Sequence, residues 1–236
     1  MKRLSITLLS LIVVSMSMTP YAQADDSPTD GSNLPQYSEQ EVELYKQVYR
    51  DDQKLIAAIN ANMDSLVTEG KLVISIPEKE DVTPHRGSMG SWGDILVSLI
   101  TDSGSVAFAG HAAIVSMDNH ITVESFAESF SPIGLDGVQY YTNSWNKSGA
   151  LLVRPYDATA TMYTTAATFA QDKVGLPYNW NFFNKSTTSK YYCSQLVWQA
   201  WLAAGIDTEA GSIPNGVIAP ADLVNSSNTY IAKKID

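Results

Sequence analysis

Cysteine is almost missing from this chain: Cys193 stands alone among 236 residues, and there are three histidines. Those counts exclude an intrachain disulfide framework, an iron–sulfur cluster and a cysteine-rich zinc site. Positive charge is also scarce, with 15 Lys and Arg against 25 Asp and Glu for a net charge of -10. The electrostatic term that dominates affinity for nucleic acids is therefore lacking, and DNA and RNA are discarded as partners. Internal repeats and low-complexity tracts are lacking as well. What is present is a chain 44% apolar and 17% charged, the composition of one ordinary globular domain or two small ones.

The N-terminal stretch reads as an export signal. Lys2 and Arg3 precede an apolar run over 4–14, and small and polar residues then lead to Ala22-Gln23-Ala24, the A-x-A pattern of a secretory cleavage site. The run is shorter than the ~20 apolar residues of a spanning helix, and no second span follows, so stable membrane insertion is not expected. Cleavage after Ala24 is expected to remove 1–24 and release the rest to the periplasm or the medium, with no cysteine at the cut to take a lipid. Loss of Lys2 and Arg3 leaves the mature chain more acidic still, which argues against attraction to anionic membranes. Export gives the lone thiol significance, because an oxidising compartment turns spare thiols into disulfides or oxidation products. Cys193 is then a buried inert side chain, an intermolecular bridge or a nucleophile.

Along the mature chain, 25–37 is rich in Asp, Ser, Pro and Gly and reads as a flexible lead. Ser38 followed by Glu41 is a capping box, and Val42, Tyr45, Tyr49, Ile56, Ile59, Met63 and Leu66 recur at helical spacing. A long amphipathic helix, or two, is predicted up to Gly70, with Asp52 interrupting the stripe at a bend or an exposed turn. Packing as structural support is its simplest role. A short strand follows at 71–76, and 77–93 is broken by Pro and Gly. Further strands are predicted at 95–100, 111–116, 121–127 and 149–154. Helices are predicted at 159–173 and 193–204, the latter burying Leu196, Val197, Ala200 and Trp201. These elements make an α+β fold with an antiparallel sheet packed against helices.

The strand pair 111–116 and 121–127 has a register that follows from its turn. If Asp118-Asn119 forms a two-residue turn, Ala113 pairs with Glu124 and His111 with Phe126. His111 and Glu124 then lie diagonally on one face, where the carboxylate can hold one imidazole nitrogen and leave the other free. A three-residue turn would put them on opposite faces. Cys193 falls in the first turn of the helix that starts near Tyr192. Unsatisfied N–H groups and the helix dipole favour a thiolate there, and the same groups can face an oxyanion formed when sulfur attacks a carbonyl.

Gly175-Leu176-Pro177-Tyr178-Asn179-Trp180, followed by Tyr192-Cys193-Ser194-Gln195-Leu196-Val197, resembles the nucleophile region of NlpC-type papain-like hydrolases. Here the histidine precedes the cysteine. With Gly93-Asp94-Ile95-Leu96, Gly110-His111-Ala112-Ala113-Ile114-Val115, Val123-Glu124-Ser125 and Pro220-Ala221-Asp222-Leu223, the chain resembles the circularly permuted branch, the YaeF/YiiX permuted papain-like amidases. The resemblance implies a permuted papain-like catalytic domain over 86–236, preceded by the lead and an N-terminal helical extension over 25–85. It implies a thiol hydrolase, a cysteine peptidase or amidase, with Cys193 as nucleophile, His111 as general base and then acid, and Glu124 orienting the imidazole. Tyr178 matches the family tyrosine near the thiol and would help bind the oxyanion; read by itself it is equally a core aromatic. No metal or organic cofactor is implied. Gln195 and Asn179 depart from the Glu and Asp usual at those places, which bears on the substrate pocket rather than on the three central residues. His85 and His120 read as a loop residue and a hairpin-end residue.

Three functions stay open at this point. The first is an exported hydrolase cutting peptide or amide bonds of cell-wall (peptidoglycan) fragments, by family analogy. The second is a lipid acyl hydrolase or acyltransferase, as in the related lecithin:retinol acyltransferase group, favoured if Trp180, Phe182, Phe183 and Tyr191 rim a groove. The third is a non-catalytic binding module with an inaccessible thiol. The partner in the first two is a peptide, amide or acyl substrate.

Overall fold

The computed structural model describes residues 37–69, 72, 74–75, 87–100, 109–213 and 216–236. Residues 1–36, where the export signal and the lead are expected, and His85 lie outside the described residues. Helix α1, Glu39–Thr68, is one continuous helix of 30 residues. It starts where the sequence places it: the Ser38 hydroxyl accepts the Glu41 N–H at 3.2 Å while the Glu41 carboxylate accepts the Ser38 N–H at 2.8 Å. Two otherwise orphaned donors are satisfied by that exchange. Tyr45, Val48, Ile56, Ile59 and Met63 form its buried stripe, whereas Val42 and Tyr49 are exposed. Asp52 marks neither a bend nor an exposed turn. Its carboxylate is fully buried within the stripe and accepts the Ala109 N–H at 2.7 Å, a tertiary bond that no spacing pattern encodes.

The strands are β1 (Ile74–Ser75), β2 (Ile95–Ser98), β3 (His111–Val115), β4 (Ile121–Phe126), β5 (Gly137–Thr142), β6 (Ala150–Pro155) and β7 (Thr229–Ile235), joined in one sheet ordered β1-β7-β6-β2-β3-β4-β5. Neighbours are antiparallel except for the short parallel pair of β1 with β7. Strands β5 and β7 were not anticipated, because both are partly exposed and carry polar or charged residues that blur the apolar alternation.

Helices α2 (Ala160–Gln171), α3 (Cys193–Ala203) and α4 (Pro220–Asn225) join α1 on one face of the sheet. Ile95, Val97, Ala112, Ile114, Val123, Leu151 and Val153 supply that face and merge with side chains of all four helices into one apolar cluster. The alternate residues Leu96, Ala113, Val115 and Leu152 face the other way, covered by Met89 and Trp145 from loops. This is the α+β arrangement expected. Helix α3 is buried from Cys193 through Trp201, so its contact surface is wider than the four predicted residues.

Candidate active site

The β3–β4 hairpin builds one half of the site. Ala113 pairs with Glu124, the predicted register. The loop itself differs: the Ser116 N–H donates to the Ile121 carbonyl at 2.9 Å and the Ile121 N–H turns back to the Asp118 carbonyl at 2.9 Å, leaving 117–120 as a four-residue connection. Loops of two and four residues have the same parity, so the faces are preserved although the turn is not the tight one. Asp118 and Asn119 adopt no positive φ. Just before β3, Gly110 has φ 88°, and a side-chain carbon there would overlap the Ser98 carbonyl oxygen. Glycine is therefore what lets the chain enter β3 with His111 as its first residue.

His111 Nε2 lies 2.8 Å from Glu124 Oε2. The imidazole is stacked against Phe126, with centroids 4.4 Å apart, and against Trp145 at 6.0 Å. Glu124 is 2% exposed, and its other oxygen accepts the Trp145 indole N–H at 3.0 Å and the Thr122 hydroxyl at 2.5 Å. Sequence reasoning missed Thr122 and Trp145. Alternation from Glu124 already places Thr122 on the same face, whereas Trp145 arrives from the loop after β5 with no local signal.

Helix α3 supplies the other half. Cys193 is its first residue and is 3% exposed. Among the described residues no side chain caps its first-turn amides, although Gln195 Oε1 accepts the Tyr192 N–H at 3.1 Å. The backbone of β3 adds a further donor. Val115 exchanges bonds with the β2 side, accepting from Gly93 at 2.8 Å and donating to Asp94 at 3.0 Å, so strand alternation turns the Ala112 N–H toward β4. The β3–β4 ladder ends at Ala113, so the Ala112 N–H lies outside it and acts on Cys193, whose thiol pKa it lowers. The same sulfur interacts electrostatically with His111, and it lies 3.9 Å from the Ser194 hydroxyl. Since Glu124 holds Nε2, the nitrogen facing sulfur is Nδ1.

The electrostatics of the three groups are mutually consistent. Burial pushes the Cys193 thiol pKa up, but the charge and hydrogen bond of His111, with the Ala112 N–H, bring it below the usual cysteine value. Burial disfavours a charged His111, yet the negative sulfur and then Glu124 outweigh it and raise the imidazole pKa. Burial also pushes Glu124 up, and His111, Thr122 and Trp145 pull it below the ordinary carboxylate value. Together these directions favour the charged forms of sulfur, imidazole and carboxylate.

Tyr178 is half-buried beside this group. Its backbone N–H donates to Asp136 at 3.0 Å, and its ring meets Trp180 edge-on at 5.1 Å. Burial first, and then the negative sulfur of Cys193, hold its phenol pKa well above normal, so it stays a donor. Asn179 and Gln195 do not line a pocket. The Asn179 amide donates to Gln195 Oε1 at 2.9 Å, and the Gln195 amide donates to the Lys185 and Thr187 carbonyls at 3.1 and 3.3 Å. Both are fully buried and fasten the loop before α3. Phe182 and Tyr191 are also fully buried and rim no groove, which leaves Trp180 and Phe183 half-buried at that edge. His120, exposed, sits 3.2 Å from the Ser88 hydroxyl at the hairpin end. Among the described residues no group of three or more His, Cys, Asp or Glu is placed to hold a metal ion, and no helix is long and apolar enough to cross a membrane.

Comparison with known proteins agrees with the motif reading. Residues 93–225 match a family model described as permuted papain-like amidase enzyme, YaeF/YiiX, C92 family. The chain is 30% identical over 134 residues to the uncharacterized protein YycO of Bacillus subtilis (strain 168), covering 53% of each chain. It therefore spans about half the length of that curated relative. The crystal structure of metalloprotein YiiX from Escherichia coli O157:H7 superposes with a TM-score of 0.44 at 15% identity, over 61% of this chain and 97% of that one.

Proposed function

This chain belongs to the permuted papain-like amidases of the YaeF/YiiX family, and from that premise we propose that it is an exported thiol hydrolase that cuts an amide or peptide bond in a cell-wall peptide. The observation that carries the reading is the electrostatic pairing of Cys193 with an imidazole that is itself held 2.8 Å from a buried carboxylate. In this mechanism the Cys193 thiolate attacks the carbonyl carbon, an S–C bond forms, and the carbonyl electron pair moves to oxygen. First-turn N–H groups of α3 and the Tyr178 hydroxyl receive that oxyanion. The proton on His111 Nδ1 passes to the amine as the C–N bond breaks, leaving an acyl-enzyme on Cys193. His111 then deprotonates a water, which attacks the thioester and returns the thiolate.

Export and a cell-wall substrate rest on the Ala22-Gln23-Ala24 pattern and on family analogy. The protein is to be incubated with peptidoglycan digests and, separately, with fatty-acyl esters, and followed by mass spectrometry. Cleaved peptide and a transient adduct on Cys193 are expected from the digests. Ester products alone would turn the reading toward lipid chemistry, and no product with an unreactive thiol would leave a binding module. N-terminal sequencing of exported material is expected to begin at Asp25.

A further inference from the structure

Helix α1 lies outside the matched segment 93–225, yet its leading end reaches the site. The Tyr37 hydroxyl donates to the Trp180 carbonyl at 3.1 Å. Its ring meets Tyr45 edge-on at 4.9 Å, and Tyr45 stacks on Phe183 at 4.7 Å and meets Phe182 edge-on at 5.6 Å. Residues 180–183 belong to no strand or helix; these contacts hold them from the α1 side, while Asn179 and Tyr192 hold Asn181 and Phe182 from within the domain. Trp180, held in this way, packs edge-on against Tyr178, whose backbone bridges Tyr191, two residues before Cys193. Trp180 is half-buried, so part of its surface stays open to a ligand.

We propose that α1 builds a wall of the site: Tyr37 and Tyr45 position Trp180 so that its indole forms a flat apolar subsite beside Cys193. That subsite takes an aromatic or apolar group carried by the substrate close to the scissile carbonyl. The proposal rests on the thiol-hydrolase reading and adds a substrate class to it. Tyr37 and Tyr45 touch no reacting atom and are positioning residues.

The test uses the full mature chain and two alkylating probes, iodoacetamide and its N-phenyl derivative. Rates at Cys193 are measured across pH and normalised to those of glutathione. The aromatic probe is expected to be favoured by about 3- to 10-fold, the worth of one aromatic contact. Trp180→Ala removes that preference. Tyr37→Phe keeps the ring, loses one hydrogen bond, and lowers the preference by about 2- to 5-fold. Ser38→Ala weakens the helix start without touching Trp180 and leaves the preference intact, which separates positioning from general support. Equal normalised rates in the wild type, or a preference that Tyr37→Phe does not change, overturns the proposal. Absence of enhanced iodoacetamide alkylation near neutral pH is a separate result, and it sinks the hydrolase reading itself.

Discussion

Glu124 and Asp52 are both withdrawn from water, at 2% and 0% exposure, yet their surroundings drive their charge in opposite directions. Glu124 accepts from His111, Thr122 and Trp145, and these partners reverse the effect of burial. Asp52 accepts one backbone N–H, from Ala109; its other oxygen has no hydrogen-bond partner among the described residues. Burial raises its pKa to about 7, with the Ala109 bond opposing and the nearby Asp222 carboxylate adding to the rise. Partners rather than depth decide which buried acid is charged. The two converge on the same short stretch, since Asp52 binds Ala109 and Glu124 binds His111. One end of that stretch carries the proposed chemistry, and the other anchors a helix from outside the family segment.

The contrast breaks first at the thiol. Cys193→Ala and His111→Ala are each expected to lower kcat by about 10⁴-fold or more, with circular dichroism showing a folded protein. Full activity of purified Cys193→Ala on an identified substrate removes the site from consideration. Glu124→Gln is expected to lower kcat by roughly 10²- to 10³-fold, because an acceptor oxygen remains while the charge supporting the imidazolium is lost. With that charge gone the His111 pKa falls and the Cys193 pKa rises, so the alkylation midpoint moves to higher pH. Unchanged kcat and midpoint would mean that the charge on Glu124 does nothing for the thiol.

Asp52→Asn tests the other carboxylate, and its sign is reversed. The folded pKa is raised from 3.8 to about 7, so the fold favours the protonated acid. Stability from this group is present below about pH 4, declines as pH rises, and is lost above about pH 7. The full shift corresponds to about 4 kcal/mol at most. Asp222, with a pKa raised to about 6, faces Asp52 from α4 and titrates in the same window. Asparagine keeps an acceptor for Ala109 and cannot ionise. Urea unfolding is expected to show a gain of roughly 1–4 kcal/mol at about pH 8 and little change at about pH 4. Glu124 contributes with the opposite slope, because its lowered pKa gives stability that is lost on acidification. An equal gain at both pH values would show that shape, not charge, sets the cost at Asp52.

The same contrast marks what could be read from the chain. The diagonal of His111 and Glu124 was legible because strand alternation is periodic and loop parity survived a change in turn type. The thiol at the start of α3 was legible because a polar segment ends where an apolar helix begins. Asp52 was misread, since a carboxylate inside an apolar stripe signals a bend to any local rule, and its partner lies in a distant strand entry. Asn179 and Gln195 were misassigned for a similar reason: each departs from a motif, but their mutual hydrogen bond exists only after the loop closes on α3. Phe182 and Tyr191 look like a groove rim by composition and are core by packing.

The smallest effect is expected at Trp145, where the comparison becomes quantitative. Trp145→Phe keeps an aromatic ring against His111 and removes one of the three donors that set Glu124 apart from Asp52. Losing a hydrogen bond to a charged group costs about 1.5–3 kcal/mol, of which only the share felt more strongly in the transition state reaches kcat. A loss of about 3- to 10-fold is the expected result. With one donor fewer the Glu124 pKa rises, so the acidic limb of kcat/KM moves to higher pH. A packing role alone would change stability and leave that limb in place. If the limb stays fixed and kcat is unchanged, then His111 and Thr122 suffice to keep Glu124 charged. If Trp145→Phe is as damaging as Glu124→Gln, the charge on Glu124 depends on every donor it has, and a carboxylate with a single one, as at Asp52, keeps its proton to higher pH in the same core.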